Sequence, residues 1–287
     1  MKKSLLAASI LLAAGSVSAD PFYLDVGINY GPAGDQVCPT CTSMKTEMAF
    51  QYESSTTITD NGDGVIGAGD SISTDGGLAV GGFNNAGLAN NQIVSFVPNQ
   101  TFGTESNNGY GNWLLSFSVT GLNGVVNGVS GAGVPLFTYG PGLLELFITF
   151  DGTTFNNFMD IAITGGGATG VSTILLGKAD FTNVDAGFNN LFHSGTTTCL
   201  GSDSFFDIWT NCGPDGLDIN FFASFETNIF VSDFTGEDTN GDQIPDIFTL
   251  DSNHKGTAMF VPEPGTLALM GISLLAMGGL ARRNKKA

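Results

Sequence analysis

Apolar and polar residues alternate at every second position in several parts of this chain, and this period restricts the fold more than any other feature. Between residues 22 and 30, the even-numbered positions carry Phe, Leu, Val, Ile and Tyr. The alternation recurs over residues 44–53, 143–151 and 217–227. Successive side chains of a β-strand point to opposite faces, so each segment predicts a strand with one face in a core and the other in water.

The connecting segments are rich in Gly, Asn and Asp, as in "DGTTFNN" (residues 151–157) and "TGGGATG" (residues 164–170). Such segments are typical of turns between antiparallel strands, and no sustained helical period accompanies them. The predicted fold class is all-β, with an antiparallel β-sandwich or jelly-roll-like body. Two Gly-rich stretches of low charge, residues 76–91 and 121–142, predict long loops.

The N-terminus has the three parts of a secretory signal peptide. Lys2 and Lys3 are followed by an apolar run over residues 5–14 and then by small residues before Asp20. We therefore expect a signal peptide over residues 1–19 that signal peptidase removes.

A second apolar segment stands near the C-terminus. Residues 265–281 are uncharged and mostly apolar, and as a helix these 17 residues would be about 25 Å long, slightly less than the ~30 Å core of a bilayer. Pro262 and Pro264 keep the preceding stretch out of a helix, while Arg282 and Arg283 begin a basic tail. Basic flanks prefer the cytoplasmic side, so the pattern predicts a transmembrane helix with the tail inside and the body outside.

An acidic turn, an apolar run and an Arg-Arg start, in this order, resemble the PEP-CTERM sorting signal of exported proteins in Gram-negative bacteria. The resemblance covers residues 262–287, with motif residues Pro262, Glu263, Pro264, Arg282 and Arg283. It implies a single-pass precursor held transiently in the inner membrane and recognised by an exosortase, a membrane-embedded cysteine protease or transpeptidase. It further implies delivery to the cell surface or extracellular matrix, in association with exopolysaccharide. An ordinary single-pass anchor is the alternative.

The part between the two ends, residues 20–261, is strongly acidic. It holds three lysines and 26 acidic residues, for a formal net charge of −23. Three lysines cannot form a basic patch, so nucleic acid is excluded as a partner, whereas divalent cations are attracted. The 23 phenylalanines indicate a packed core and argue against disorder. We expect a β-sandwich domain over residues 20–231 and a polar, acidic stalk over residues 232–261.

Four cysteines, an even number in an exported chain, predict two disulfides. They are Cys38, Cys41, Cys199 and Cys212. Sequence permits three pairings, and we favour Cys38–Cys41 with Cys199–Cys212 because each pair is local. A redox role for "CPTC" is disfavoured because strand pattern follows it rather than a helix. The spacing of the two pairs is also unlike a zinc ribbon.

The strongest candidate site lies in "EDTNGDQIPD" (residues 237–246). Alternating oxygen-bearing residues can wrap Ca²⁺, which takes about six to eight oxygen ligands. The candidate ligands are Asp238, Asn240, Asp242, Ile244 through its backbone carbonyl, and Asp246. Gln243 and Thr249 depart from the calcium-loop pattern, in which a glycine and a glutamate hold these places. The segment resembles the calcium-binding aspartate repeats of extracellular stalks such as thrombospondin type 3, and the alternative is a solvated acidic linker.

A weaker candidate lies in "TDNGDGVIGAGD" (residues 59–70). Aligned on its central glycine, this segment places Asn61, Asp63 and Asp70 at ligand positions, but Asp60 is displaced by one residue from the first position. Asn-Gly and Asp-Gly also predict a hairpin turn, which is the favoured interpretation.

Other motifs carry little chemistry. Gly165, Gly167 and Gly170 have dinucleotide-binding spacing, but no helix pattern follows them. Only His193 could serve as the base of a Ser–His–Asp triad, because His254 falls in the predicted stalk. No Gly-x-Ser-x-Gly motif accompanies either histidine.

We therefore predict a non-enzymatic, exported surface or matrix protein. Its expected role is structural or adhesive, in an exopolysaccharide biofilm or floc, with Ca²⁺ bridging the acidic body to acidic polysaccharide. One alternative is a secreted hydrolase or carbohydrate-binding module that acts on polysaccharide. The other is a self-associating surface-layer or adhesin subunit.

Overall fold

The fold is almost entirely β-sheet. A computed structural model describes residues 19–29, 34–83, 91–95, 110–168, 172–213, 218–226 and 229–261. The strands in these residues are β1 (Phe22–Leu24), β2 (Met48–Thr59), β3 (Ser71–Gly77), β4 (Gln92–Ser95), β5 (Leu114–Val129), β6 (Pro135–Tyr139), β7 (Gly142–Thr149), β8 (Asn156–Ala168), β9 (Ser172–Asp180), β10 (Phe192–Ser194), β11 (Asn220–Glu226), β12 (Thr235–Glu237) and β13 (Ile247–Val261). A short helix, α1 (Phe205–Asn211), and a 3₁₀ turn (Val231–Asp233) complete the described elements.

The larger sheet closes on itself into an eight-stranded antiparallel barrel. Around the ring, β2 is followed by β3, β5, β6, β8, β9, β11 and β13, and β13 pairs again with β2 from Ile247 to Ala258. At the end of the barrel where β2 begins, β4 lies between β2 and β5, and β7 lies between β5 and β8. The predicted all-β, antiparallel class is confirmed, but the body is a closed barrel rather than a sandwich or jelly roll.

Closure depends on bends that residue alternation does not reveal. Register shifts interrupt the pairing between Thr74 and Gly76, between Val126 and Gly128, and between Ile163 and Gly165. Bulges of this kind bend and coil strands, and strongly coiled strands can meet to close a barrel.

The two ends of the barrel differ. We name the end where β2 finishes and β13 begins, at Thr59 and Ile247, the rim. The opposite end, where β2 begins and β13 finishes, at Met48 and Val261, is the base. At the base, β1 pairs with β10 in a small separate sheet, and α1 covers the barrel interior together with these strands. The Phe260 ring lies there in edge contact with Phe22 and Phe205, at 5.5 and 4.9 Å between ring centroids.

The C-terminal part of the predicted stalk is a wall of the barrel. Residues 247–261 form β13, which pairs with β2 on one side and β11 on the other. Its inward positions include His254, Ala258 and Phe260, which are all buried. The composition that predicts a stalk comes from the polar outward positions of this strand and from the inward Ser252, His254 and Gly256.

Residues 121–142, predicted as a long loop, also differ from expectation, since most of them belong to β5 and β6. A Cβ atom at Gly124 would collide with the Thr138 carbonyl oxygen. Glycine therefore permits two strands to approach closely here, and its abundance does not mark a loop.

The disulfides form as predicted, Cys38 with Cys41 and Cys199 with Cys212. The predicted signal peptide, except for Ala19, and the sorting segment 262–287 with its predicted transmembrane helix lie outside the described residues. Across the described part of the chain, no helix has both the length and the apolar character needed to cross a membrane.

Candidate functional site

The strongest sequence candidate forms an exposed loop at the rim, between β12 and β13. In this segment, which we name rim loop 2 (residues 238–246), Asp238 accepts hydrogen bonds from the backbone N–H groups of Gly241 at 2.6 Å and Gln243 at 2.7 Å. These bonds lower the pKa of Asp238, and the bond from Gly241 contributes most to the shift. Gln243 adopts a left-handed conformation with φ 71°. The turn that usually requires glycine therefore forms here with Gln243.

The remaining predicted ligands of rim loop 2 face the same backbone. Asp246 accepts hydrogen bonds from the backbone N–H of Thr239 at 2.8 Å and from the Asn240 amide at 2.8 Å. Asp242 accepts one from the N–H of Ile244 at 2.9 Å. The five predicted ligand residues thus lie in one compact loop, where three carboxylates accept N–H groups.

The weaker sequence candidate forms a second loop at the rim, which we name rim loop 1 (residues 60–70). Asp60 accepts hydrogen bonds from the N–H groups of Gly62 at 2.6 Å and Gly64 at 2.9 Å. The bond from Gly64 is the main cause of a lowered pKa at Asp60. The other oxygen of Asp60, Oδ1, is buried and has no hydrogen-bond partner in the structure. The candidate residue Asp63 accepts the N–H of Val65 at 3.1 Å.

The two rim loops share one hydrogen-bonding plan. In rim loop 1, the closing residue Asp70 is fully buried and accepts the N–H of Asn61 at 3.1 Å. In rim loop 2, Asp246 accepts the N–H of Thr239. In each loop, the first aspartate accepts N–H groups of the turn that follows it. The last aspartate accepts the backbone N–H of the residue that comes directly after the first aspartate. Asp60 is therefore the counterpart of Asp238, which alignment on the glycine of rim loop 1 had missed. Aligning the first aspartates of the two segments would have found it.

The two loops also lie side by side. The Asp60 N–H donates to the Asp246 carbonyl at 2.8 Å, and Thr59 pairs with Ile247. Ile244 lies so close to Gly64 that a Cβ atom there would collide with it. One end of the barrel therefore carries both acidic loops, although more than 160 residues separate them in sequence.

Three metal-ligating groups converge elsewhere. Among the described residues, one group of three side chains of the metal-binding types has its ligand atoms within 4.8 Å of one another. It consists of Asp25, Cys38 and Cys41. Both sulfurs there belong to a disulfide, so neither is a thiolate ligand. In the rim loops, the carboxylates would have to turn partly away from the backbone to surround a cation.

His193, the histidine considered as a possible triad base, lies beside a carboxylate near the base. Its Nδ1 lies 3.0 Å from Asp203 Oδ1, and the Tyr23 hydroxyl donates to Asp203 Oδ2 at 2.7 Å. Burial alone would raise the pKa of Asp203, but the hydrogen bonds from Tyr23 and His193 outweigh it and lower the pKa. The Nε2 atom, which would activate a serine, instead lies 3.1 Å from the Asn190 carbonyl.

His254 lies inside the barrel, beside a cavity of about 60 Å³. Its Nδ1 donates to the Glu226 carbonyl at 3.0 Å, and its Nε2 lies 2.8 Å from the hydroxyls of Ser54 and Ser252. Burial lowers the pKa of His254, so the ring is neutral near pH 7. A cavity of this size is large enough to hold ordered water.

The two ends of the described body meet at the base. Asp20, which follows the predicted signal peptide, donates its N–H to the Phe260 carbonyl at 2.8 Å. Its carboxylate is buried and accepts a hydrogen bond from the Ser194 hydroxyl at 2.9 Å and another from Thr196. Nothing in the local sequence around Asp20 indicates this anchoring role.

Comparison with known proteins identifies the C-terminal segment. A family model for the PEP-CTERM protein-sorting motif matches residues 260–286. The match confirms the predicted sorting motif and indicates an exported, membrane-anchored precursor that an exosortase recognises. The motif residues Pro262, Glu263, Pro264, Arg282 and Arg283 lie within the match and outside the described residues. No curated protein and no solved structure matches the chain.

Proposed function

We propose that this exosortase-sorted protein is a structural or adhesive component of the cell surface or exopolysaccharide matrix, and that its rim contacts acidic polymers through Ca²⁺. The observation that carries this proposal is the pairing of two aspartate-rich loops at the end of the barrel opposite Phe260 and Val261, where the sorting match begins. The barrel is then a spacer, with its attachment point at the base and its contact surface at the rim.

The length of β13 supports this arrangement. The strand has 15 residues, which at about 3.3 Å per residue extend roughly 50 Å. Because barrel strands are tilted, the distance along the barrel axis is shorter. Even so, the rim loops stand far from the residues where the sorting motif begins, and they face away from the enzyme that processes it.

Electrostatics favours a bridging cation. Residues 20–261 carry a formal net charge of −23, so direct contact with an acidic polysaccharide is repulsive. Calcium relieves this repulsion when carboxylates from both partners share the ion. The buried, unpartnered Oδ1 of Asp60 supports a cation near rim loop 1, because a buried charged oxygen without a partner is costly.

The test compares thermal unfolding of the full-length protein with CaCl₂, with MgCl₂ and with NaCl at matched ionic strength. For an extracellular module with a Kd of ~10⁻⁴ M, 1 mM Ca²⁺ should stabilise the fold by about 1.4 kcal/mol. That energy corresponds to a rise in Tm of roughly 3–6 °C.

The variant D238N/D246N should lose the calcium-specific rise, because each asparagine lacks the charge and has one oxygen acceptor where the carboxylate uses two. The control Asp251→Asn removes an exposed carboxylate from the wall of the barrel and should keep the rise. A wild-type protein that gains nothing from Ca²⁺ beyond ionic strength, and that stays in the matrix after chelation, would contradict the proposal.

A further inference from the structure

The sorting motif begins inside the folded barrel. The match starts at Phe260, and Phe260 and Val261 are the last residues of β13, paired with Phe221 and Asn220 of β11. The Phe260 side chain is fully buried. The first two residues of the motif are thus part of the barrel wall, and no linker separates the wall from Pro262.

Chain length limits how far the base can stand from the membrane. Three residues, 262–264, separate Val261 from Gly265, where the apolar run begins. Four extended steps cover at most about 14 Å, and the headgroup layer on one side of a bilayer is itself roughly 5–7 Å thick. An enzyme that acts near Pro-Glu-Pro therefore meets the base of the barrel at the same time.

Release of the strand end would require breaking several contacts together. The Phe260 carbonyl accepts the Asp20 N–H, and the ring lies against Phe22, Phe205 and Phe221. Asp20 is itself fixed by the hydroxyls of β10 and the turn after it. Local unfolding of β13 would expose this aromatic cluster, so the enzyme has to approach an intact base.

The surface beside this strand end suits a protein partner. Met44 is 45% exposed and lies against Gly195, next to the Pro21 carbonyl. Lys178 and Asp218 form an ion pair beside Asn220. The exposed apolar side chain and, beside Asn220, the pair of charges offer both burial and hydrogen bonding to a protein surface.

We propose that the base around Met44, Gly195 and Thr196 is a docking surface for the exosortase, which recognises the barrel end together with the linear motif. This inference rests on the sorting function indicated by the motif. The inference adds that the enzyme recognises the spacing between the barrel and the motif as well as the motif itself.

The test inserts a flexible Gly-Ser segment of eight residues between Val261 and Pro262. The matched control carries the same insert after Gly131, in the exposed turn between β5 and β6 at the rim. Loss of precursor is followed by pulse labelling in the native host, and mass spectrometry locates the C-terminus of the product. We expect several-fold slower processing with the insert at Val261 and a wild-type rate with the insert at Gly131. Equal or faster processing with the Val261 insert would overturn the docking surface.

A second variant, Met44→Glu, leaves the spacing unchanged and alters the surface. It should slow processing while the Tm of the purified protein stays at the wild-type value, and an unchanged rate would overturn the proposal. If the wild-type chain itself keeps its full C-terminus, the sorting function fails as well. If the wild-type chain is processed normally and both variants are processed at the same rate, the docking surface is rejected while the sorting function stands.

Discussion

Three carboxylates lie in a row across neighbouring strands of the barrel. Asp160 on β8 pairs with Glu145 on β7 and with Asp180 on β9. Burial, with repulsion from Asp160, raises the pKa of Glu145, and burial also raises the pKa of Asp160. Because these folded-state pKa values lie above the unfolded ones, the repulsion is absent at low pH and grows as pH rises through them.

Asp160→Asn should therefore stabilise the protein at pH 8 and lose this advantage near pH 4. The asparagine keeps an oxygen acceptor for the Asn157 amide, which now donates to Asp160 at 2.7 Å. Relief of cross-strand repulsion is worth about 0.5–1 kcal/mol, or a rise in Tm of about 1–4 °C. Scanning calorimetry at both pH values measures it, with Glu237→Gln as control because Glu237 faces Ile247 across the strands. A variant less stable than wild type at pH 8 would contradict this reasoning.

The rim loops show how far single residues could be predicted. Alternating aspartates placed Asp238, Asp242 and Asp246 in one loop, because loop spacing is a local property. The role of Asp60 could not be predicted from an alignment on glycine, since rim loop 1 has a longer turn between its first and last aspartates. The burial of His254 was also missed, because it depends on strands that come together only in the closed barrel.

At the level of strands, glycine in β5 has a structural role that composition hides. A side chain at Gly124 would collide with the Thr138 carbonyl of β6, whereas Gly131, in the turn that follows β5, faces open space. Gly124→Ala should lower stability by roughly 1–3 kcal/mol through overpacking. Gly131→Ala should be neutral or stabilising by up to about 1 kcal/mol. Urea unfolding of both variants measures the difference, and equal midpoints would show that β5 and β6 can separate without cost.

The clarity of the alternation and the sequence distance between paired strands explain which strands could be predicted. Clear alternation, as in β7 and β11, was sufficient because one face is apolar and the other polar. Strand β13 was not predicted, because its inward positions carry Ser252, His254 and Gly256, which do not look like a core in the sequence. Its place in the barrel is set by pairing with β2, which is distant in sequence.

On the scale of the whole molecule, the sequence predicted the fold class and the sorting signal better than the architecture. Antiparallel strands, a Phe-rich core and two local disulfides follow from periodicity and composition. A sandwich and a closed barrel share the same alternation, so only the bends at the bulges distinguish them. Closure of the barrel brings distant segments to one end. It therefore also explains the contact between Asp20 and Phe260 and the contact between the two rim loops.

The overall charge makes a last prediction about the intact molecule. With 26 acidic residues against three lysines in residues 20–261, repulsion within the folded body opposes compactness. The screening length falls from about 30 Å at 0.01 M salt to about 8 Å at 0.15 M, so the Tm in the presence of a chelator should rise over this range of NaCl. The rise should shrink near pH 4.1, the isoelectric point of the sequence, because protonated carboxyl groups no longer repel. A Tm that does not respond to salt at pH 8 would mean that the acidic residues are spaced widely enough for water to screen them.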